Sequence, residues 1–332
     1  MMRFRMDATM KAQRAELKEL YRAYRLGAKQ KIKDKEVTKK YLDKPIQRIL
    51  QDLSDEIADR IEKGTPTLLA RLGGTEGQIA GQYCERKLGM RRHYEKDTFQ
   101  WMYTTSGFFA DDYKDKEEAL DDYSKITLEG MAECDYLSAT FPPRIWIPFF
   151  FRHYATNATP TFSDFGPYLG METERSWVRA LKGKRVLVIN SFADSILYQY
   201  ARKDKLVKSK ECELPDFADL QVYKTLVTQC GERPFGYKNF FEAYRHMEND
   251  IHKLDFDVAF VGAGAYGFPL SVEIKKMGKI ALETCGNTPL FFGVYGERNV
   301  RQGIDDYLTD AWIRPMEEPP KEYKKVEGGC YW

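Results

Sequence analysis

The sequence lacks the features that would place it in a membrane, outside the cell or on nucleic acid. No apolar run approaches the roughly 18 residues that predict a membrane span. The start, MMRFRMDATMK, has no apolar stretch of the kind found in secretion signals. The six cysteines are scattered without a C-x-x-C pair, which favours reduced thiols over zinc or disulfides. A formal net charge of +2 gives no general attraction to nucleic acid. We therefore expect a soluble, cytoplasmic protein without a nucleic-acid partner.

The composition supplies enough apolar residues for a substantial core. The chain has 332 residues, 43% of them hydrophobic, which suits one large α/β domain or two modest ones. Aromatic residues reach 14%, enough to line a carbohydrate or nucleotide cleft. Ordinary core packing explains the same residues, and we weight it more heavily.

The clearest pattern lies in residues 255–296. An apolar run at 256–261 predicts a buried parallel strand, residues 268–276 a helix, and residues 279–283 a second strand. The turn between the first strand and the helix reads GAGAYG at 262–267, which fits G-x-G-x-x-G. Such a turn lets a ligand approach the backbone and directs the helix N-terminus towards phosphate.

This turn predicts a nucleotide or phosphate site at Gly262, Gly264, Tyr266 and Gly267, and Glu283 follows at the distance of a ribose-binding acid. The alternative is a tight turn without a ligand. A complete dinucleotide-binding domain normally carries this fingerprint in its first half, whereas here it starts near residue 255.

A second strand, glycine turn and helix are predicted at 67–72, 73–77 and 78–88. Arg71 ends the strand and is suited to bidentate phosphate binding. Glu76 is a candidate base, sugar ligand or metal ligand facing the crevice at the strand ends. The sequence favours a structural role equally, in which Glu76 is a first-turn helix charge and Arg71 forms a structural ion pair. The other candidate binding residues of this turn are Gly73, Gly74 and Thr75.

A third unit has a strand at 185–189 and a helix at 195–203. Asn190 and Ser191 follow the strand and are placed to bind phosphate or ribose. A helix cap formed by Ser191 or Asp194 is equally compatible with the pattern.

Further helices are predicted at 45–63, 115–134 and 235–254, and the terminal Tyr331 and Trp332 are expected to dock on the body. Residues 7–40 predict a long charged helix. It could be a solvated extension, pack on the body, mediate a homo-oligomer, or lie on the inner face of an acidic membrane. We assign residues 1–44 to this helical extension and residues 45–332 to a single α/β domain.

From about residue 68 onwards, the chain resembles GT-D-type glycosyltransferases and related proteins of bacterial polysaccharide gene clusters. The resemblance rests on ARLGGTEG, on GKRVLVINSFADSILYQY, on the 255–298 stretch and on the closing EGGCYW. It implies a Rossmann-like, mainly parallel sheet flanked by helices, with a binding role for Gly286 and Asn287. It also implies a hexosyltransferase-like enzyme that uses a nucleotide sugar, with UDP-sugars favoured, and a glycan or lipid-linked acceptor.

The chain departs from the family pattern in the metal motif. The R-F-G-D-G-E signature of the fold is matched at Arg71, Gly73 and Glu76, but Gly74 stands at the position of the metal-binding Asp. Asn287 replaces a later histidine. Glu76 alone carries over as a ligand for Mn²⁺ or Mg²⁺, and Arg71 with helix N-termini is the metal-free alternative.

Three hypotheses remain open from the sequence. The first is a glycosyltransferase of surface polysaccharide synthesis. The second is an NAD(P)-dependent oxidoreductase that uses the GAGAYG turn and Glu283. The third is a non-catalytic nucleotide-binding protein in which loss of the motif Asp marks lost chemistry. The donor sugar, acceptor, linkage and stereochemical course are not specified by the sequence.

Overall fold

A computed structural model of the chain describes residues 7–29, 46–138, 145–161, 176–206, 213–234, 236–301 and 309–332, with backbone alone at 26–29 and 46–50. Its centre is a seven-stranded, all-parallel sheet flanked by helices, which confirms the predicted Rossmann-like α/β class. Numbered along the chain, the strands lie in the order 3-2-1-7-6-4-5. The strands are β1 (Thr67–Ala70), β2 (Tyr136–Ser138), β3 (Thr159–Thr161), β4 (Arg185–Asn190), β5 (Asp219–Lys224), β6 (Val258–Gly262) and β7 (Ile280–Glu283).

The helices surround this sheet on both faces. They are α1 (Ala8–Lys29), α2 (Ile46–Lys63), α3 (Gly74–Lys87), α4 (Lys96–Thr104), α5 (Lys116–Gly130), α6 (Ile147–His153), α7 (Ala193–Tyr200), α8 (Phe240–Ile251), α9 (Gly267–Lys276) and α10 (Glu297–Arg301). Short 3₁₀ helices also occur, including Trp177–Leu181, Gly264–Tyr266 and Cys285–Phe292.

The inner strands are apolar on both faces because both faces of the sheet are covered. In β4 and β6, Leu187 and Val261 pack into one core cluster with side chains of α3, α5, α8 and α9. Val188 and Phe260 point the other way, into a second cluster with α2, α7 and the 177–181 helix. This two-sided burial explains why these strands could be recognised from uninterrupted apolar runs.

Several element boundaries differ from the sequence-based prediction. The α3 helix begins at Gly74, so residues predicted as a turn at 74–77 form its first turn. Asn239 caps α8 by accepting the Glu242 N–H at 2.9 Å, and the helix therefore starts later than residue 235. The strands β2, β3 and β5 and the helix α4 were not predicted.

The N-terminal helix packs on the body. Leu17 is fully buried in the large core cluster, and Glu16 pairs with Arg152 and His153 of α6. Packing is thus the role that the structure shows for α1, while the predicted continuation at 30–40 lies outside the described residues. Across the described ranges, every helix is too short or too polar to span a bilayer.

Two glycines of α3 provide a matched test of its packing. A Cβ at Gly81 would overlap the Trp146 indole, whereas a Cβ at Gly77 would meet only the Leu72 Cβ at 4.0 Å. We expect Gly81→Ala to lower the free energy of unfolding by about 1–3 kcal/mol, because the ring must move in a packed core. Gly77→Ala should be neutral or stabilising by about 0.5–1 kcal/mol, because alanine favours helix. Urea denaturation measures both, and equal effects would contradict this packing.

Candidate functional site

A cavity of about 780 Å³ opens at the carboxyl ends of β1, β4, β6 and β7. This is the edge where open parallel sheets bind ligands. Most of the sequence-predicted site residues line it: Arg71, Gly73, Gly74, Thr75, Glu76, Asn190, Ser191, Gly262, Gly264, Gly286 and Asn287. The turns after β1 and β6, which are distant in sequence, therefore share one crevice.

Tyr266 and Gly267 are the two candidates that the structure does not place in this cavity. The Tyr266 side chain is 1% exposed, stacks on Phe240 with ring centroids 4.5 Å apart, and accepts the Thr228 hydroxyl at 3.3 Å. Gly267 begins α9 beside the Glu283 carboxylate. Tyr266 instead lines a neighbouring cavity of about 40 Å³. Ala265 and Tyr266, the two residues before the last glycine of the G-x-G-x-x-G pattern, are therefore part of the hydrophobic core.

The crevice lies where neighbouring strands send the chain in opposite directions. From β4 the chain continues outwards to β5, and from β6 it continues to β7 on the other side. Asn190 and Gly262 are register partners at this point, and Asn190 Nδ2 donates to the Gly262 carbonyl at 2.8 Å. Asn190 Oδ1 also accepts the Phe192 N–H at 2.9 Å. Asn190 thus fixes the two turns that form the cavity wall.

The glycines of the GAGAYG turn make room for the chain itself. A Cβ at Gly262 would overlap the Cys285 carbonyl and lie 2.8 Å from Thr288 Cβ. Gly264 has a φ of +54°, and its Cβ would lie 2.7 Å from the Ser106 carbonyl. The close approach expected of a pyrophosphate is therefore made by the 285–292 helix and by the loop after α4.

Glu76 sits at the N-terminus of α3, where its carboxylate folds back over the helix cap at Gly73. A Cβ at Gly73 would overlap Glu76 Oε2, so this arrangement requires glycine at 73. Burial raises the pKa of Glu76, while hydrogen bonds from the Ser106 hydroxyl and its own backbone N–H, with the Arg71 charge, oppose the rise. Glu76 is thus both a first-turn helix charge and a cavity residue.

A second carboxyl group, Glu283, lines the same cavity at the end of β7. It is 2% exposed, and its Oε2 accepts the Arg71 backbone N–H at 3.2 Å. Burial, and then the charge of Glu76, raise the pKa of Glu283 to about 8. The sequence indicated Glu283 only as a ribose ligand. An acidic residue at the end of a buried strand could also have been recognised as a candidate buried carboxyl group of the site.

The N-terminus of α7 also faces a carboxylate of the protein itself, that of Glu317. Glu317 accepts the Ser195 backbone N–H at 3.1 Å and the Ser195 hydroxyl at 2.5 Å. Neither Ser191 nor Asp194 provides a side-chain cap for this helix. Ser191 lines the cavity, but the helix end behind it already has an anionic partner.

The C-terminal segment forms a further wall, which sequence reasoning did not include in the site. Arg298, Lys325, Tyr331 and Trp332 line the cavity. The Arg298 guanidinium lies 4.8 Å from the Tyr331 ring centroid and pairs with Glu327 at 2.7 Å. Trp332 packs edge-on against the Phe192 ring at 5.4 Å, which confirms the predicted docking of the last two residues.

The metal prediction rests on Glu76, and the donor set around it fits a metal poorly. Within the described ranges, a three-ligand group that could hold an ion occurs on α8 and α9 instead, at Glu248, His252 and Glu273. In the cavity, the Arg71 charge acts on both Glu76 and Glu283. A guanidinium at this position opposes a second cation by charge repulsion.

No protein-family model, curated protein sequence or solved structure gives a significant match to this chain. The resemblance to GT-D-type glycosyltransferases therefore remains a prediction from the quoted motifs, and the function has to be argued from the cavity.

Glu283 predicts a specific pH dependence of stability. Its pKa is raised on folding, so the folded state holds a proton that the unfolded state loses above about pH 4.5. Stability should fall as the pH rises from about 4.5 to 8, by up to about 1.4 kcal/mol per pH unit. Glu283→Gln keeps an acceptor for the Arg71 N–H and should flatten this slope.

The measurement is urea denaturation of both proteins at intervals between pH 5 and pH 8.5. Parallel curves for the wild type and Glu283→Gln would show that this carboxyl group is not buried in its protonated form.

Proposed function

We propose that the protein is a glycosyltransferase that transfers a sugar from a nucleotide-sugar donor to a glycan or glycolipid acceptor in surface polysaccharide synthesis. The supporting observation is that one cavity contains both the Arg71/Glu76 turn and the Gly262–Gly264 turn. Its volume of about 780 Å³ lies within the range of small-molecule sites, about 300–1,000 Å³.

The charge of the lining favours a diphosphate. Three cationic residues, Arg71, Arg298 and Lys325, face three carboxyl residues, Glu76, Glu283 and Glu327. Burial raises the pKa of Glu283, so this carboxyl group offsets less of the positive charge. Arg298 is paired with Glu327 and Lys325 with Glu322, so these two cations would serve a diphosphate and a carboxylate together. Glycosyl transfer releases a nucleoside diphosphate, whose developing charge such cations stabilise.

The helix N-termini contribute less to this proposal than the sequence suggested. Those of α3 and α7 already face Glu76 and Glu317. In the proposed site, the guanidinium groups of Arg71 and Arg298 and the ammonium group of Lys325 therefore neutralise the diphosphate. Glu76 is assigned to the sugar, as the base for the acceptor hydroxyl or as a ligand for a donor hydroxyl.

An NAD(P)-dependent oxidoreductase is the second candidate, since Glu283 ends the strand that follows the GAGAYG turn and pairs with β6. Two observations count against it. The space above Gly262 and Gly264 is filled by Cys285, Thr288 and Ser106. A ribose-binding acid should also accept hydrogen bonds as an exposed carboxylate, whereas Glu283 is 2% exposed.

Calorimetric titration distinguishes these candidates. We expect UDP and UDP-sugars to bind and NADH not to bind, because the Cβ side of Gly262 and Gly264 is filled by the chain and Glu283 is too buried to bind a ribose. Titrations with and without Mn²⁺ test whether the diphosphate binds without a metal ion. Tight NADH binding without UDP binding would reverse the ranking. Binding of UDP-sugars without donor hydrolysis or transfer would favour the non-catalytic hypothesis.

Glu76 and its helix cap provide the mutational test. We expect Glu76→Gln to lower kcat for transfer or donor hydrolysis by about 10²–10⁴-fold, the usual contribution of a positioned acid or base. Gly73→Ala should also lower kcat, because its methyl group would displace the Glu76 carboxylate. Gly77→Ala is the matched control, since it lies on the same helix outside the cavity lining and a Cβ there would meet only the Leu72 Cβ at 4.0 Å. Unchanged kcat in Glu76→Gln would remove Glu76 from the mechanism.

A further inference from the structure

Trp101 is an exposed aromatic residue in the wall of the cavity. It lies on α4, 47% of its surface is exposed, and it lines the cavity together with Gln78 and Thr105. A large aromatic side chain in a cavity wall offers an apolar surface that a ligand can cover. Among the large apolar side chains that the described ranges leave exposed, the others, Tyr24, Leu197, Tyr198 and Met316, do not line this cavity.

The helix α4 holds Trp101 in place. Thr98 and Met102 of α4 are buried against the body, whereas the Trp101 side chain on the same helix remains exposed. The Trp101 carbonyl accepts the Thr105 N–H at 2.8 Å and the Ser106 N–H at 3.2 Å. The indole is therefore carried by an ordered helix end and not by a loose loop.

The same loop connects Trp101 to the proposed catalytic residues. The Ser106 hydroxyl is hydrogen-bonded to Glu76, and the Ser106 carbonyl accepts the Ala265 N–H at 2.9 Å. The position of Trp101 is thus fixed relative to both Glu76 and the Gly264 turn. A flat apolar ring beside an amide and a hydroxyl suits a sugar ring, whose C–H face is apolar and whose hydroxyl groups are polar.

We propose that Trp101 is the stacking platform of an oligosaccharide subsite, with Gln78 and Thr105 as hydrogen-bonding partners for the sugar hydroxyls. Within the proposed function, which this inference deepens, the subsite takes the neutral glycan acceptor. The nucleoside diphosphate of the donor occupies the cationic wall formed by Arg71, Arg298 and Lys325.

The test uses intrinsic fluorescence and calorimetry, and it does not require turnover. Trp146, Trp177 and Trp312 are buried, whereas Trp101 and Trp332 line the cavity. Trp101 is the more exposed of these two, and a Trp101→Phe variant separates its signal from that of Trp332. The probes are maltohexaose, cellohexaose, chitohexaose and, separately, UDP. We expect at least one hexasaccharide to shift the emission to shorter wavelength and to bind with a measurable Kd.

Three variants assign the effect. Trp101→Ala should weaken hexasaccharide binding by at least about tenfold and leave UDP binding unchanged, while Trp101→Phe should retain part of the affinity. Tyr198→Ala is the matched control, because Tyr198 is 46% exposed but lies outside the cavity. It should bind as the wild type does. Thermal melts check that each variant is folded, which the exposure of both side chains favours.

Three results would overturn the inference. The first is that the wild type binds no hexasaccharide, and the second is that the wild type and Trp101→Ala bind it equally. The third is that Trp101→Ala loses UDP binding, which would mean that the uracil ring and not a sugar stacks on the indole. The proposed function fails separately: if UDP does not bind the wild type but hexasaccharide binding depends on Trp101, the subsite stands and the nucleotide-sugar donor does not.

Discussion

The pairing of four buried parallel strands determines where the candidate site lies. Hydrogen bonds join β1 to β7, β7 to β6 and β6 to β4, so that four turns from separate parts of the chain meet at one edge. Arg71 and Glu76 follow β1, Asn190 ends β4 and Glu283 ends β7, and this pairing brings the three positions into one cavity. Together they form a partly buried polar site whose low dielectric strengthens every charge interaction inside it.

The strand–turn–helix units could be predicted because their signals are local. The apolar runs of β4 and β6 and the helical spacing of apolar residues in α2 can each be read within a short stretch of sequence. The short strands β2 and β3 could not be predicted in this way. Each has three residues, and β3 contains Pro160, so their strand character comes from pairing with neighbours that are distant in sequence.

The site was predictable to the extent that it follows strand ends. Arg71, Glu76 and Asn190 were found because a polar residue after a buried strand faces the ligand edge. Arg298, on α10, and Lys325, at the end of a short 3₁₀ helix, were not found, because neither follows a strand and their return to this edge depends on tertiary packing around Tyr331 and Trp332. Tyr266 was assigned to the site by a motif, although its ring stacks in the core.

The glycine turn shows why a motif does not identify its ligand. Gly262 and Gly264 are needed for steric reasons, as the G-x-G-x-x-G pattern implies. The groups that approach them are the backbone carbonyls of Cys285 and Ser106 and the Thr288 side chain. Carboxylates from the chain likewise face the N-termini of α3 and α7, where the pattern suggests phosphate. The physical preferences that would favour an anionic ligand at such a turn are satisfied here by groups of the protein itself, and they stabilise the fold without a ligand.

The central position of the β1–β7 pair also affects how the chain reaches this structure. Thr67 and Ile280 are register partners roughly 210 residues apart, so closing this pair carries a large entropic cost and is intrinsically slow. During synthesis, β2 can pair with one edge of β1, whereas the other edge has no partner until β7 leaves the ribosome. The crevice is therefore among the last parts of the molecule to assemble, and the half-made sheet is the stage at which the protein is most exposed to aggregation.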